Sequence, residues 1–334
     1  MADVGVALAR VTEPLTIWCN PQVSDNAREL LLAGATPHRL VFAPVETYNL
    51  DAGPPDPALL EAEVALGQPD PQTVMRAEKL RWIHLTSAGY ARYDTPEFRA
   101  ALAARGAILT NSSQVYAEPC AEHAFAFMLA QARQLLWTYH MQLTERSWKT
   151  EPLRVASRLL TGQTMLLLGY GAIARRLVEI AQPFGMKVIA VRRHPSGAEG
   201  VRTIGEDQIE QALAQVDHVV NTLPEGPSTH YFMNATRFAA MKPGAVFYNV
   251  GRGGTVDQEA LLAALQRDQL GAAYLDVTVP EPLPQDHPLW SAPRCYITPH
   301  TAGGHSDEHE RFVQHFLDNL KRFTASEALF DRVM

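Results

Sequence analysis

Short apolar runs alternate with helical patterns along the first third of the chain. The apolar runs predict buried strands at 15–19, 40–42, 64–66, 82–85 and 107–109. Apolar residues at helical spacing predict helices at 25–33, 70–77 and 95–104. Because strands that alternate with helices favour a parallel sheet covered on both faces, we expect a doubly wound α/β unit here.

One long helical pattern covers residues 117–145, with Pro119 near its start. Its apolar side chains are spread widely around the helix, and they are Phe125, Phe127, Met128, Leu129, Leu135, Leu136 and Trp137. A helix with such a broad apolar surface is either buried in the protein or part of a subunit interface.

A second series of alternating elements follows this helix. The predicted strands are at 165–168, 187–191, 218–223, 245–250, 272–277 and 295–298, and the predicted helices at 175–184, 207–214, 234–241 and 257–270. Asn234 and Asp257 are expected to cap their helices, and Asp307 with Glu310 is spaced as a charged variant of a capping box. The final helix carries an apolar face of Val313, Phe316, Leu317 and Leu320. The sequence therefore predicts two doubly wound parallel-sheet units.

Length and composition agree with two domains and restrict the partners. The chain has 334 residues, and single cores rarely exceed ~250–300 residues. The net charge is −7 without any long Lys/Arg tract, so neither nucleic acid nor a membrane surface is an expected partner. No transmembrane span is predicted, and residues 1–12 lack the apolar run of a secretory signal. The widely spaced Cys19, Cys120 and Cys295 predict buried thiols, no metal site and a cytoplasmic protein.

Near the middle of the chain, an apolar run leads into Gly169-Tyr170-Gly171-Ala172-Ile173-Ala174 and then a helical pattern. The first glycine permits a tight turn, the second lets a phosphate approach the backbone, and the small final residue lets helix and strand pack closely. Backbone N–H groups at the helix N-terminus then face the anion. The segment therefore predicts a site for the pyrophosphate of a dinucleotide.

Arg192 and Arg193 follow the next predicted strand, about 20 residues beyond the first glycine. An acidic residue here would accept hydrogen bonds from the ribose hydroxyls of NAD and would repel a 2′-phosphate. Two guanidinium groups can instead bind that phosphate. NADP(H) is therefore the predicted cofactor, with NAD(H) as the alternative if the two arginines are simply solvated.

Arg252, Glu281 and His300 follow three predicted strands of the second series. The carboxyl ends of parallel strands line the ligand crevice of such a sheet, so these side chains are expected to converge. Arginine keeps its charge and can hold a carboxylate, and histidine can exchange a proton near neutrality. A carboxylate on the far ring nitrogen would fix the tautomer and raise the pKa of the imidazolium. Each residue alone could be an ordinary loop residue, but the three together predict a catalytic site.

At these residues the chain resembles the D-isomer-specific 2-hydroxyacid dehydrogenase family. Residues 241–257 are similar to the family's arginine motif, and residues 298–300 are similar to its Thr-Pro-His. Residues 276–282 resemble its Asp-Val-Phe-x-x-Glu-Pro segment, with Thr278 in place of the usual Phe. Leu223-Pro224 followed by Thr229 resembles the family's loop beside the adenosine.

The resemblance implies an NAD(P)-dependent enzyme that interconverts a small 2-keto acid, such as glyoxylate or hydroxypyruvate, and its D-2-hydroxy acid. It makes His300 the acid and base, Glu281 its partner, and Arg252 the anchor of the substrate carboxylate. The implied cofactor residues are Gly169, Tyr170, Gly171, Ala172, Ile173, Arg192, Arg193, Leu223, Pro224, Val250, Gly251, Asp276, Ala302 and Gly303. Asp276 would lie near the nicotinamide end.

Residues 86–94 resemble the family's substrate loop, although Tyr90 and Ala91 depart from its usual residues. In this loop Ser87, Ala88 and Gly89 are the implied substrate-binding residues, with the N–H groups of the last two on the carboxylate.

The segment Ala121-Glu122-His123 resembles the head of the family's dimer-forming helix, which predicts a homodimer. His123 is then structural. His84 lies inside an apolar strand and is predicted to be a core residue.

The resemblance also implies a discontinuous, flavodoxin-like substrate domain of residues 1–112 and 305–334. A Rossmann cofactor domain at 113–304 would be inserted into it. Two other functions stay open to the sequence: a dinucleotide-sensing binding protein without turnover, like the corepressors of this fold, and a phosphite dehydrogenase. A formate dehydrogenase is disfavoured because that relative pairs its histidine with Gln, where this chain has Glu281.

Overall fold

The computed structural model describes residues 13–49 and 51–334. Residues 1–12, for which no secretory signal is predicted, and residue 50 lie outside the described ranges. The chain divides into two compact units, the first of Met1–Tyr116 with His305–Met334 and the second of Ala117–Gly304. Across the described ranges, no helix is both long enough and apolar enough to cross a membrane.

A parallel sheet forms the centre of the first unit. Its strands are β1 (Thr16–Pro21), β2 (Arg39–Thr47), β3 (Val64–Leu66), β4 (Trp82–His84) and β5 (Ile108–Thr110). They lie in the order β2-β1-β3-β4-β5, which is the flavodoxin-like order, and every neighbouring pair is parallel. All five predicted strands are therefore confirmed.

Helices cover both faces of this sheet, and they are α1 (Asp25–Gly34), α2 (Pro71–Arg76), α3 (Pro96–Arg105) and the C-terminal helix α11 (Glu308–Thr324). Ile17 and Cys19 of β1 pack in one core with α1 and α11, whereas Trp18 between them packs in the other core with α2 and α3. Because both faces are buried at β1, β3, β4 and β5, these strands are mostly apolar, whereas the edge strand β2 is largely exposed.

The apolar face predicted for α11 is confirmed, because Val313, Phe316, Leu317 and Leu320 are all buried. Phe316 stacks on Trp82 with ring centroids 5.2 Å apart. His84 is fully buried, as predicted, with its Nδ1 2.8 Å from Thr110 Oγ1. Burial holds the pKa of His84 well below its usual value, so its ring is neutral.

The capping box predicted at the start of α11 is wrong. Asp307 makes no capping hydrogen bond and instead accepts one from Arg311 Nε at 2.7 Å. Glu310 accepts a hydrogen bond from Ser24 Oγ at 2.7 Å, in the cap of α1. Asp307 is therefore paired one turn along its own helix, whereas Glu310 has a partner that is distant in the sequence.

The second unit contains a seven-stranded parallel sheet. Its strands are β6 (Thr164–Leu168), β7 (Lys187–Val191), β8 (Arg202–Ile204), β9 (His218–Asn221), β10 (Ala245–Asn249), β11 (Leu270–Leu275) and β12 (Cys295–Ile297). The strand order is β12-β11-β10-β9-β6-β7-β8, so the winding reverses between β6 and β9. The remaining helices are α4 (Ser113–Ala132), α5 (Leu135–Thr144), α6 (Thr150–Ala156), α7 (Ala172–Ala181), α8 (Ile209–Leu213), α9 (Ala235–Ala240) and α10 (Gln258–Gln266).

The single helix predicted over 117–145 is two helices, α4 and α5. The chain breaks at Gln134, whose φ of 57° is left-handed and cannot continue an α-helix. Strand β8 and helix α6 are absent from the predicted elements, because both are short and neither contains a clear apolar period. The predicted caps are confirmed: Asn234 accepts from Arg237 N–H and Asp257 from Ala260 N–H.

Two of the three predicted buried cysteines are confirmed. Cys19 and Cys120 are buried, whereas Cys295 is only half-buried. Burial raises the pKa of the Cys295 thiol to about 12 and raises that of Cys19 as well. Both thiols are therefore protonated and weakly reactive at neutral pH.

Candidate active site

The segments predicted to bind the cofactor follow strands that are close neighbours in the second sheet. Residues 169–173 follow β6, residues 192–193 follow β7, residues 223–224 come soon after β9, and residues 250–251 follow β10. The carboxyl edge beside the reversal of strand order is where open α/β sheets bind ligands. The structure thus brings these segments to one edge of the sheet, and their contact with a dinucleotide stays a prediction.

The turn after β6 has the geometry that a phosphate requires. Gly169 has a φ of 90°, a conformation that side chains rarely adopt. Gly171 is the N-cap of α7 and supplies no side-chain cap, and a Cβ at this position would meet open space. The first N–H groups of α7 are therefore available to an anion. These residues fit a dinucleotide pyrophosphate.

A set of buried polar side chains fixes the loop that contains Arg252. Asn249 Oδ1 accepts a hydrogen bond from Gly251 N–H at 3.1 Å, and Asn249 Nδ2 donates to Arg252 O at 3.2 Å. A Cβ on Gly253 would lie 2.0 Å from Thr278 O, so only glycine lets this loop approach the loop after β11. A hydrogen bond from Nη1 of Arg252 to Gly251 O, at 2.7 Å, fixes the orientation of the guanidinium.

His300 and Glu281 form a hydrogen-bonded pair. The distance from His300 Nδ1 to Glu281 Oε2 is 2.7 Å, and Glu281 Oε1 accepts from Thr278 N–H at 3.0 Å. Burial alone would raise the pKa of Glu281, but the hydrogen bonds from His300 and Thr278 and the charge of Arg252 hold it below its usual value. Glu281 is therefore a carboxylate at neutral pH. The structure brings together all three of the predicted catalytic residues.

The backbone of His300 is in the left-handed region, with a φ of 53°. This conformation is unfavourable for histidine, and such residues persist only where surrounding contacts hold them. The His300 N–H donates to Asp276 O at 2.8 Å and to Thr298 O at 3.0 Å. The surrounding loop thus sets the direction of the imidazole.

Asp276, which was expected near the nicotinamide, is bound to the loop that contains His300. Its side chain is buried and accepts hydrogen bonds from Thr298 Oγ1 at 2.7 Å, Thr301 N–H at 2.9 Å and Ala302 N–H at 3.0 Å. His123 Nε2 lies 3.1 Å from the same Thr298 hydroxyl. Together these contacts support the loop that contains His300. The N–H of Ala302 is one of the donors in this support, because it is bonded to Asp276.

The sequence did not indicate the part that Thr298 plays in this support. Thr298 is the first residue of the Thr-Pro-His motif at 298–300, but the motif gives its hydroxyl no role. His123 was predicted to be structural, and burial lowers its pKa despite the nearby Asp276.

The predicted substrate loop belongs to the first unit and has its own polar support. Ser87 Oγ donates to Gly89 O at 2.7 Å, and Asn111 Nδ2 donates to Ala88 O at 2.7 Å. Gln68 Nε2 donates to Ser87 Oγ at 3.0 Å. Within the described ranges, the N–H groups of Ala88 and Gly89 have no hydrogen-bond acceptor. Hydrogen bonds thus hold the carbonyl oxygens of Ala88 and Gly89 in place, and the two adjacent N–H groups can bind an anion.

Comparisons with known proteins show which proteins this chain is similar to. The family model described as "D-isomer specific 2-hydroxyacid dehydrogenase, NAD binding domain" matches residues 125–302, more than half of the chain. Glyoxylate/hydroxypyruvate reductase B of Pectobacterium atrosepticum is 32% identical over 287 residues, which cover 81% of this chain and 86% of that protein.

Solved structures match nearly the whole chain. A D-isomer specific 2-hydroxyacid dehydrogenase family protein from Aeromonas salmonicida is 30% identical with a TM-score of 0.75, covering 96% of this chain and 99% of its own. The D-isomer specific 2-hydroxyacid dehydrogenase of Xanthobacter autotrophicus, in complex with NADPH and MES, is 26% identical with a TM-score of 0.78, covering 96% and 98%. This chain is therefore an oxidoreductase and belongs to the D-isomer specific 2-hydroxyacid dehydrogenase family.

Proposed function

We propose that this enzyme reduces small 2-keto acids, such as glyoxylate or hydroxypyruvate, to D-2-hydroxy acids with a nicotinamide dinucleotide. The observation that carries the proposal is the 2.7 Å hydrogen bond between His300 Nδ1 and Glu281 Oε2. That bond leaves Nε2 of His300, which has no hydrogen-bond or ion-pair partner among the described residues, for the substrate. The relative from Pectobacterium, named a glyoxylate/hydroxypyruvate reductase, supports this substrate class.

Each of the three residues has a distinct proposed task. Arg252 holds the substrate carboxylate through charge-assisted hydrogen bonds and polarises the keto group. His300, protonated on Nε2, donates its proton to the keto oxygen, and Glu281 stabilises the imidazolium and fixes its orientation. A bound reduced nicotinamide would supply the hydride. In the reverse direction, His300 accepts the proton of the hydroxyl group.

We propose that the substrate loop donates the N–H groups of Ala88 and Gly89, beside Ser87, to a carboxylate. This role is supported by the hydrogen bonds that hold the two carbonyls away and leave both donors without an acceptor. Two adjacent backbone N–H groups of this kind form a common anion-binding arrangement.

For the cofactor, we propose that NADP(H) is preferred over NAD(H), with Arg192 and Arg193 at the adenosine end. The family match establishes an NAD-binding domain, which is compatible with either dinucleotide. The relative from Xanthobacter was solved with NADPH, which supports the phosphorylated form. The edge segments at 169–173, 223–224, 250–251 and 302–303 are the proposed remaining contacts.

We also propose a homodimer. The chain from α5 to the start of β6 exposes many large apolar side chains: Leu135, Trp137, Tyr139, Leu143, Trp148, Val155 and Leu159. Trp148 is 96% exposed. So many large exposed apolar side chains in one segment favour an interaction site, and a second copy of this chain is the proposed partner.

A panel of 2-keto acids assayed with NADPH and with NADH tests the proposed function. We expect oxidation of the reduced dinucleotide with at least one small keto acid, and a higher kcat/KM for NADPH than for NADH. Phosphite with NADP⁺ is the parallel assay for the alternative oxidation. Dinucleotide binding without turnover of any keto acid or of phosphite would support a sensor and contradict the proposed keto-acid reduction.

Replacing Glu281 by Gln is expected to shift the pH profile of keto-acid reduction to lower pH. The carboxylate that accepts the hydrogen bond from His300 Nδ1 favours the proton-donating form of this pair, and the neutral amide of Gln has no charge with which to do so. The measurement is kcat/KM against pH, with Glu281→Asp as the variant that keeps the charge. An unchanged profile in the Gln variant would argue against the pairing.

A further inference from the structure

The segment after β7, residues 192–203, is organised around one carboxylate, that of Glu199. Its Oε1 accepts hydrogen bonds from the N–H and the hydroxyl of Ser196, at 2.8 and 2.7 Å, and from Arg192 Nη1 at 3.1 Å. Its Oε2 accepts one from Thr203 Oγ1 at 3.3 Å. The side chain of Glu199 is only 2% exposed, although the residues around it are exposed. A segment rich in turn residues thus has an internal anchor.

Glu199 is the first acidic residue after the arginine pair. The two hydrogen bonds from Ser196 outweigh desolvation and lower the pKa of Glu199 to about 2, so it is charged at neutral pH. Its four donors use the lone pairs that ribose hydroxyls would need, and its side chain is shielded from solvent. Glu199 therefore does not replace the acid that selects NAD.

The same segment is tied to the phosphate-binding turn. The hydroxyl of Tyr170, which lies between Gly169 and Gly171, donates to the backbone oxygen of Glu199 at 3.1 Å. The guanidinium of Arg175 lies over the Tyr170 ring, 5.9 Å from its centroid. The backbone of Glu199 thus attaches the segment to the turn, in addition to the hydrogen bonds that the Glu199 carboxylate accepts.

The two arginines therefore have different surroundings. Arg192 is paired with the buried carboxylate of Glu199. Arg193 is exposed and has no hydrogen-bond or ion-pair partner among the described residues. A guanidinium that is already paired gains less from a second anion than one that is paired only with water.

We propose that Glu199 determines the cofactor selectivity of this segment: it occupies Arg192 and leaves Arg193 as the guanidinium that binds the 2′-phosphate of NADP(H). The carboxylate also removes one positive charge from the site, so selectivity depends on a single arginine. This inference rests on the proposed preference for NADP(H), and it states which of the two arginines produces that preference.

Single arginine variants test this assignment by equilibrium binding, measured from the fluorescence of NADPH and NADH. Arg193→Ala should weaken NADPH ~10- to 100-fold, the effect of losing one charge-assisted contact, and NADH much less. Arg192→Ala should change the ratio of the two Kd values by less than about 3-fold, because its charge is already paired. Arg202→Ala, which removes an exposed charge from the first residue of β8, is the matched control.

A second arm places Arg192→Ala in the background of Glu199→Gln. Once the carboxylate is neutral, Arg192 is released, so its removal should now weaken NADPH selectively by ~10-fold. Thermal unfolding of every variant checks that the fold is retained. Should the two single variants instead lose the same amount of NADPH affinity relative to NADH, the division between Arg192 and Arg193 would be overturned and the NADP(H) preference would stand. If neither variant changes the ratio of Kd values, neither arginine selects the 2′-phosphate and the division is refuted, whereas a ratio in the unmodified protein that does not favour NADPH refutes the preference itself.

Discussion

Replacing His300 by Ala is expected to lower kcat for 2-keto acid reduction by ~10²–10⁴-fold, the usual contribution of a general acid. The loss arises because Glu281 cannot take over the proton transfer: it is a carboxylate at neutral pH with a lowered pKa. His300→Asn should show the same loss. Asparagine tolerates the left-handed backbone of position 300 better than alanine, so this variant separates the chemistry from backbone strain.

Two measurements separate this loss from misfolding. The Kd of NADPH, measured without substrate, should stay close to that of the unmodified protein in both variants. His287→Ala, which removes another histidine between Glu281 and His300 in the sequence, should keep most of kcat. A near-normal kcat in the Ala and Asn variants would refute the role of His300.

Replacing Arg252 by Ala is expected to lower kcat/KM for the keto acid on the order of 10²- to 10⁴-fold, the combined effect of two charge-assisted hydrogen bonds. Much of the loss should be in KM, because the substrate carboxylate loses its fixed cation. Only the side chain should change, since the backbone oxygen of Arg252 is held independently by Asn249 and Thr255.

Lysine is the matched variant for Arg252, because it keeps the charge and loses the paired geometry of the guanidinium. Arg252→Lys should therefore recover part of kcat/KM, with KM improving more than kcat. The comparison uses steady-state kinetics at saturating NADPH. A KM for the keto acid that is unchanged in the Ala variant would exclude Arg252 as the anchor.

The strands and the convergence of the site were predictable for physical reasons. Strands buried on both faces read as apolar runs, so β3 was predicted at its observed bounds, Val64–Leu66. Loops that follow neighbouring parallel strands must meet at one edge, which is why Arg252, Glu281 and His300 could be grouped before their distances were known. The break at Gln134 was not predictable, because one left-handed residue barely alters an apolar period.

Contacts between residues distant in sequence account for most of what the sequence did not indicate. The support of His300 depends on Asp276 accepting three hydrogen bonds from residues 298–302, and no spacing rule predicts such a pairing. The same is true of Glu310, which accepts a hydrogen bond from Ser24 and does not cap its own helix. The pairing of Arg192 with Glu199 spans only one short segment, but turn-rich sequence does not reveal which donor a carboxylate will take.

The most direct measurement follows the hydride itself. Hydroxypyruvate is reduced with NADPH that bears deuterium at the transferable position, and the product is analysed by mass spectrometry and chiral chromatography. The proposed hydride transfer should give one deuterium at C2 of a D-2-hydroxy acid, formed by the unmodified protein and almost absent with His300→Ala. A product of L configuration, a product without deuterium at C2, or no reduction of any keto acid in the panel would contradict it.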